Sequence, residues 1–248
     1  MYPGWCLLLV HTLHIQHSVA QNHNHYCDFT SEHTLCKNIG LGHACGGQVF
    51  QQGVSNESAT LILHHHNWFR TRVARGDEPE GAPGPQPQAS NMRQMNIWQY
   101  HFLDICDFFC MCLFLCKCAN CKCISRFHVG QNMAISSPSW KLETIEWPRA
   151  IQSWFDELIT FNPNHIYPFQ FSELWGHYTA MIWHDIWKIG CGYTMFNEFG
   201  SWKKLYTCNY GPSGNRPSEE VYLRGEPCSS CPYGTTCSNI YPGLCSTN

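Results

Sequence analysis

Three observations on this 248-residue chain predict an α+β fold: two separated segments with helical apolar spacing, a pair of β-type runs beyond residue 190, and 17 cysteines available to staple them. With 44% hydrophobic and 14% aromatic residues, the chain can bury one substantial core with small appendages and is too apolar to stay disordered.

The elements follow in order. Residues 1–20 read as a signal peptide, with a short apolar run from Trp5 to Val10 and a small-x-small cleavage site at Ser18-Val19-Ala20. Together with the cysteine density, this leader implies a secreted, extracellular protein. Residues 21–57 carry Cys27, Cys36 and Cys45 among polar residues and glycines, an irregular extension tied down by covalent bonds. Asn56-Glu57-Ser58 is a glycosylation sequon, usable only in the secretory pathway.

A helix is expected from Ser58 to Arg75, where Ile62, Phe69 and Val73 share one face and Gly76 supplies a stop. The His64-His65-His66 run lies on it and reads as a partly solvated face, because consecutive helical positions point in different directions. Asp77 to Ala89, with four prolines, is a loop.

A second helix is predicted from Glu146 to Phe161, with Pro148 tolerated in its first turn and Asn162-Pro163 ending it. Trp147, Ile151, Trp154, Leu158 and Phe161 form its buried stripe. Gly190 to Phe196 and Trp202 to Tyr210 then read as a hairpin joined by the five residues Asn197 to Ser201. A bridge between Cys191 and Cys208 would staple these strands, contributing about 3 kcal/mol on the loop-entropy estimate. Beyond Gly225, Cys228, Cys231, Cys237 and Cys245 lie among Pro, Gly, Ser and Thr, a segment with too little apolar mass to fold without bridges.

Charge and hydropathy exclude some partners. The formal net charge is −3 and the 15 Lys and Arg residues are scattered, so no basic stripe exists to neutralise a phosphate backbone and nucleic acid is not expected. No stretch reaches the roughly 20 apolar residues of a membrane span. The nearest, Phe102 to Cys116, is too short and carries Asp104 and Asp107.

Two stretches carry a family resemblance. Gly176-His177-Tyr178-Thr179-Ala180-Met181-Ile182-Trp183 with Ile189-Gly190-Cys191-Gly192, and Leu205-Tyr206-Thr207-Cys208-Asn209-Tyr210-Gly211-Pro212-Ser213-Gly214-Asn215, resemble the two signatures of the CAP superfamily of cysteine-rich secretory, antigen 5 and pathogenesis-related proteins. His66-Asn67-Trp68-Phe69-Arg70 and Val129-Gly130-Gln131-Asn132 support it, and the cysteine-bearing ends point to the arthropod venom allergen 5 branch. Ile186 and Arg216 depart from the pattern, which has a small polar residue at the first position and an apolar residue or Asn at the second.

The resemblance implies a three-layer α-β-α sandwich, with the CAP domain over 58–222 and a short cysteine-rich hinge-like tail over 223–248. It further implies the bridges Cys27–Cys36, Cys191–Cys208, Cys228–Cys237 and Cys231–Cys245, while Ser31 stands where the family often has another cysteine.

One block does not fit. Over 97–126 the family's amphipathic helix is replaced by a run holding Cys106, Cys110, Cys112, Cys116, Cys118, Cys121 and Cys123, with Cys118 where the family's His would fall. Soft-metal clustering and a bridge-rich helix are two readings of this block. The favoured hypothesis is an altered reading such as a frame shift or retained intron, because helical periodicity vanishes while both flanks match. Sequencing the mature transcript across codons 96–126 tests it, and the same reading in full-length RNA would eliminate it.

The family's cleft gathers two His and two acids able to hold a divalent cation. Here His177 matches one His and Glu157 one acid, Gln131 replaces the other acid, and the remaining His is missing. A neutral amide brings neither charge nor general base, so no catalytic residue, resident metal or cofactor is expected, and His177 and Glu157 read as a hydrogen-bonded pair in a polar cleft. Tyr178 and Trp183 read as core or cleft wall.

The implied function is non-enzymatic: a monomeric binding or effector protein for a small lipid, a sterol or a host protein. The alternative is a metal-dependent hydrolase using Glu157 and His177, for which no Gly-x-Ser-x-Gly elbow supplies a nucleophile. A channel-blocking toxin is not expected, since the sequence continues only three residues past Cys245.

Overall fold

A computed structural model describes residues 49–97, 128–138 and 144–247. The expected signal peptide, the Cys27–Cys36 pairing and nearly all of the cysteine-rich block lie outside the described residues.

Strand β1 (Val49–Gln52) leads into helix α1 (Asn56–Ala74). Ser55 caps the helix: its Oγ accepts from the Ser58 amide at 3.2 Å, meeting one of the donors that a helix start leaves unpaired. Gly76, at φ +72°, ends it. Its amide donates to Val73 at 3.0 Å and that of Asp77 to Arg72 at 2.9 Å, the two reversed bonds of a Schellman cap.

Ile62, Phe69, Val73 and Ala74 bury the apolar face of α1, and three polar residues go in with them. His66, Asn67 and Arg70 are fully buried, each satisfied by hydrogen bonds. His66 Nδ1 meets the Ile62 carbonyl at 2.8 Å, and its Nε2 the Tyr210 hydroxyl at 3.0 Å. Asn67 pairs through both amide atoms with the backbone of Met95, at 3.0 and 2.8 Å. The guanidinium of Arg70 donates to the carbonyls of Arg93, Met181, Trp183, His184 and Ile186 at 2.6–3.3 Å. The solvated-face expectation for the histidine run therefore fails at His66. Four residues from Ile62 and three from Phe69, it lies on the inward side of the helix, while His64 is exposed.

Helix α2 (Trp147–Phe155) buries Trp147, Ile151 and Trp154. It does not run on to Phe161 as predicted; Asp156–Thr160 tightens into a 3-10 turn that keeps Leu158 and, just beyond it, Phe161 inside. Thr160 Oγ1 closes the turn, donating to Glu157 at 2.9 Å and across to Leu174 at 2.8 Å. A second 3-10 turn, Pro163–Ile166, precedes helix α3 (Gly176–Ile182).

Strands β4 (Lys188–Glu198) and β5 (Ser201–Gly211) form the hairpin. Their connection is two residues rather than five: Phe199 and Gly200 both take positive φ, as tight primed turns require, and the Asn197 side chain accepts from the Gly200 amide at 2.8 Å. Polar residues that read as loop thus continue the ladder, Glu198 pairing with Ser201.

Cys191 and Cys208 are direct partners in this ladder, 4.1 Å apart at Cα and joined by a disulfide. With β3 (Gly130–Ser136) the order is β1-β4-β5-β3, and the short β2 (Asn96–Ile97) runs parallel to the start of β4.

The result is an α+β sandwich. Helices α1, α2 and α3 share one core with the face bearing Ile189, Cys191, Tyr193, Tyr206, Cys208 and Tyr210. The opposite face of the central strands, with Thr194, Phe196, Leu205 and Thr207, is buried as well. The tail carries β6 (Thr236–Cys237), β7 (Cys245–Ser246) and the bridges Cys228–Cys237 and Cys231–Cys245. It docks through backbone bonds of Cys245 to Met92 and Gln94, both 2.8 Å.

Of the two departures from the family pattern, Ile186 is buried, and Arg216 pairs with Asp185 at 2.8 Å and Glu219 at 2.6 Å. No helix among the described residues is long and apolar enough to cross a membrane.

Burial makes His66 an acid-sensitive point. Desolvation, opposed by the Ile62 carbonyl and aided by the Arg70 charge, pushes the imidazole down to about 4. Because the unfolded chain takes up this proton more readily, the stability is complete above about pH 6.5 and is lost as pH falls toward about 4. Urea unfolding across that window is expected to show a loss on the order of 3 kcal/mol, which His66→Gln flattens.

Candidate functional site

Glu157 leaves the 3-10 turn beside the first turn of α3, a helix whose own N-cap residue, Trp175, provides no side-chain bond. Its carboxylate fills that role. Oε2 accepts from the backbone amides of His177 at 2.8 Å and Tyr178 at 3.2 Å, where negative charge also suits the helix dipole. Oε1 accepts from His177 Nδ1 at 2.6 Å. A carboxylate at this distance accepts from Nδ1 and orients a ring whose side chain is 40% exposed. Nε2 has no partner among the described residues.

A relay anchors this pair to the core. Asn132 donates to the His177 carbonyl at 2.9 Å and to the Tyr210 hydroxyl at 3.2 Å, and that hydroxyl meets His66 Nε2. Asn215 closes the other side, its amide donating to Gly176 at 2.8 Å and its oxygen accepting from Thr179 Oγ1 at 2.7 Å.

His66, Asn132, Thr179, Tyr210 and Asn215 all fall within the quoted family stretches, although side-chain type alone assigns them no task. Tyr178 and Trp183 are core residues.

The segments that carry the site also expose apolar side chains. The Phe171 ring lies against Gly176, where an added Cβ would meet it at 2.8 Å, and Phe171, Leu174 and Ile159 are each more than half exposed.

The structure therefore brings His177 and Glu157 together and engages Gln131 elsewhere. Gln131 donates to Asn209, its ladder partner on β5, at 2.8 Å and makes no hydrogen bond to His177 or Glu157. The cluster of sulfurs from Cys228, Cys231 and Cys245 is accounted for by the tail bridges.

A bound cation needs several converging donors. Among the described residues this site offers His177 Nε2, while both oxygens of Glu157 are engaged and Gln131 is a neutral amide, so the set does not fit a resident metal ion. Among the described residues no Ser, Thr or Cys side chain hydrogen-bonds to His177 or Glu157.

Comparison with known proteins agrees with this anatomy. The model of the cysteine-rich secretory protein family, CAP, matches residues 119–210. A CRISP/Allergen/PR-1 protein of Trittame loki is 34% identical over 229 residues, 89% of this chain and 54% of that protein. Venom allergen 5 of Dolichovespula arenaria is 36% identical over 209 residues, 81% of this chain and 100% of that protein.

The chain spans about half the length of the Trittame loki and Tityus serrulatus relatives it matches. The solved structure of NaASP2 with Zn2+ superposes with a TM-score of 0.54 at 28% identity, over 78% of this chain and 97% of that one. On the paired strands, their disulfide and these relatives, the chain belongs to the CAP family of cysteine-rich secretory proteins and is of the venom allergen 5 type.

Proposed function

We propose that this chain is a secreted, extracellular binding or effector protein that works without catalysis, the surface beside His177 and Glu157 taking a small lipid or sterol or the apolar face of a host protein. The observation that carries the reading is the complete engagement of Glu157: one oxygen holds the His177 ring and the other caps α3. A carboxylate so used is not free as a general base. Beside it, Phe171, Leu174 and Ile159 present exposed apolar surface, which suits an apolar ligand. The three disulfides among the described residues and the expected leader support the extracellular setting.

Titration with a fluorescent fatty acid and a fluorescent sterol tests this reading. Saturable binding is expected, weakened about thirty-fold in Phe171→Ser with Leu174→Ser, since each truncation removes roughly 1 kcal/mol of apolar contact. No saturable binding by either probe counts against the lipid version. The competing reading, a hydrolase that recruits zinc through His177, requires zinc-dependent peptide or ester cleavage that disappears in His177→Ala. The binding reading predicts no such cleavage in either protein.

A further inference from the structure

The one Asn-x-Ser/Thr sequence in the chain, Asn56-Glu57-Ser58, forms the first turn of α1. An asparagine at a helix start commonly serves as the cap, but here Ser55 already does so. The Asn56 side-chain amide makes no hydrogen bond among the described residues. Only its backbone carbonyl is used, accepting from Thr60 Oγ1 at 2.9 Å. Asn56, Glu57 and Thr60 are all exposed, whereas Ala59 and Ile62 supply the buried face of this turn. A bulky group on the Asn56 amide would therefore extend into solvent without disturbing the cap or the core. The disulfides Cys191–Cys208, Cys228–Cys237 and Cys231–Cys245 belong to the same oxidising compartment in which sequons are read.

We infer that Asn56 carries an N-linked oligosaccharide. In the transfer, Nδ2 of Asn56 bonds to C1 of the first sugar of a polyprenyl diphosphate-linked donor. The C1–O bond to the diphosphate breaks, the polyprenyl diphosphate leaves, and the amide proton passes to the base of the transferring enzyme; no oxidation or reduction occurs. The inference rests on the secretion reading above, and the experiment separates the two.

The full chain is expressed in insect cells. Medium and lysate are treated with peptide N-glycosidase in heavy-oxygen water and analysed by intact and peptide mass spectrometry. The expected result is a loss of one glycan mass, with position 56 read as heavy-labelled Asp. Asn56→Gln and Ser58→Ala should each abolish the loss, while Ser58→Thr retains it. Protein in the medium with an unmodified Asn56 overturns the glycan alone, as does a mass loss that persists in Asn56→Gln. Protein confined to the cytosol and unmodified overturns both the glycan and the secretion reading.

Discussion

The fully buried guanidinium of Arg70 is the contact from which the rest of the molecule is positioned. From the C-terminal part of α1 it reaches the carbonyl of Arg93 and those of Met181, Trp183, His184 and Ile186, the segment through which the chain leaves α3 and enters β4. Helix ends leave carbonyls unpaired, and buried unpaired carbonyls are costly. Only arginine has a planar fork able to serve so many acceptors at once. Burial pulls its pKa down to about 9, with Asp185 opposing, so the group keeps its charge near neutral pH. Because Arg70 sets where α3 stops, it also sets the start of β4, and the disulfide at Cys191 and Cys208 then locks β4 to β5.

The same helix face reaches the site by a second route. His66 holds the Tyr210 hydroxyl, Tyr210 meets Asn132, and Asn132 holds the backbone of His177. Through Arg70 and His66, one helix thus fixes both the last and the first turn of α3. Glu157 completes the arrangement from the 3-10 turn after α2, and its two oxygens make the first turn of α3 and the His177 ring a single hydrogen-bonded unit. These bonds leave Nε2 of His177 without a partner among the described residues, and on the neighbouring segments Phe171, Leu174 and Ile159 are exposed apolar side chains.

Elements governed by short-range rules were legible in the sequence. Gly76 marked the end of α1, the Trp147 to Phe161 stripe marked a buried helical segment, and the β-type runs around Cys191 and Cys208 marked the hairpin. What escaped depended on partners distant in the chain. His66 looks solvated until Tyr210, 144 residues away, supplies an acceptor-side partner for its ring. Asn197 to Ser201 looks like a loop because a two-residue turn with Phe199 at positive φ runs against that residue's preference. The 3-10 turn at Asp156–Thr160 depends on Thr160 bonding to Leu174, which periodicity cannot foresee. Family likeness singles out His177 and Glu157 in the sequence, but the capping role of Glu157 belongs to the three-dimensional contact with α3.

The dependence on Arg70 is most directly tested by urea unfolding of Arg70→Met, which keeps much of the side-chain volume and removes every donor. A loss of about 3 kcal/mol or more is predicted, the consequence of leaving buried carbonyls at the end of α3 without partners. A change below about 1 kcal/mol, within the range of an ordinary single hydrogen bond, would contradict the account.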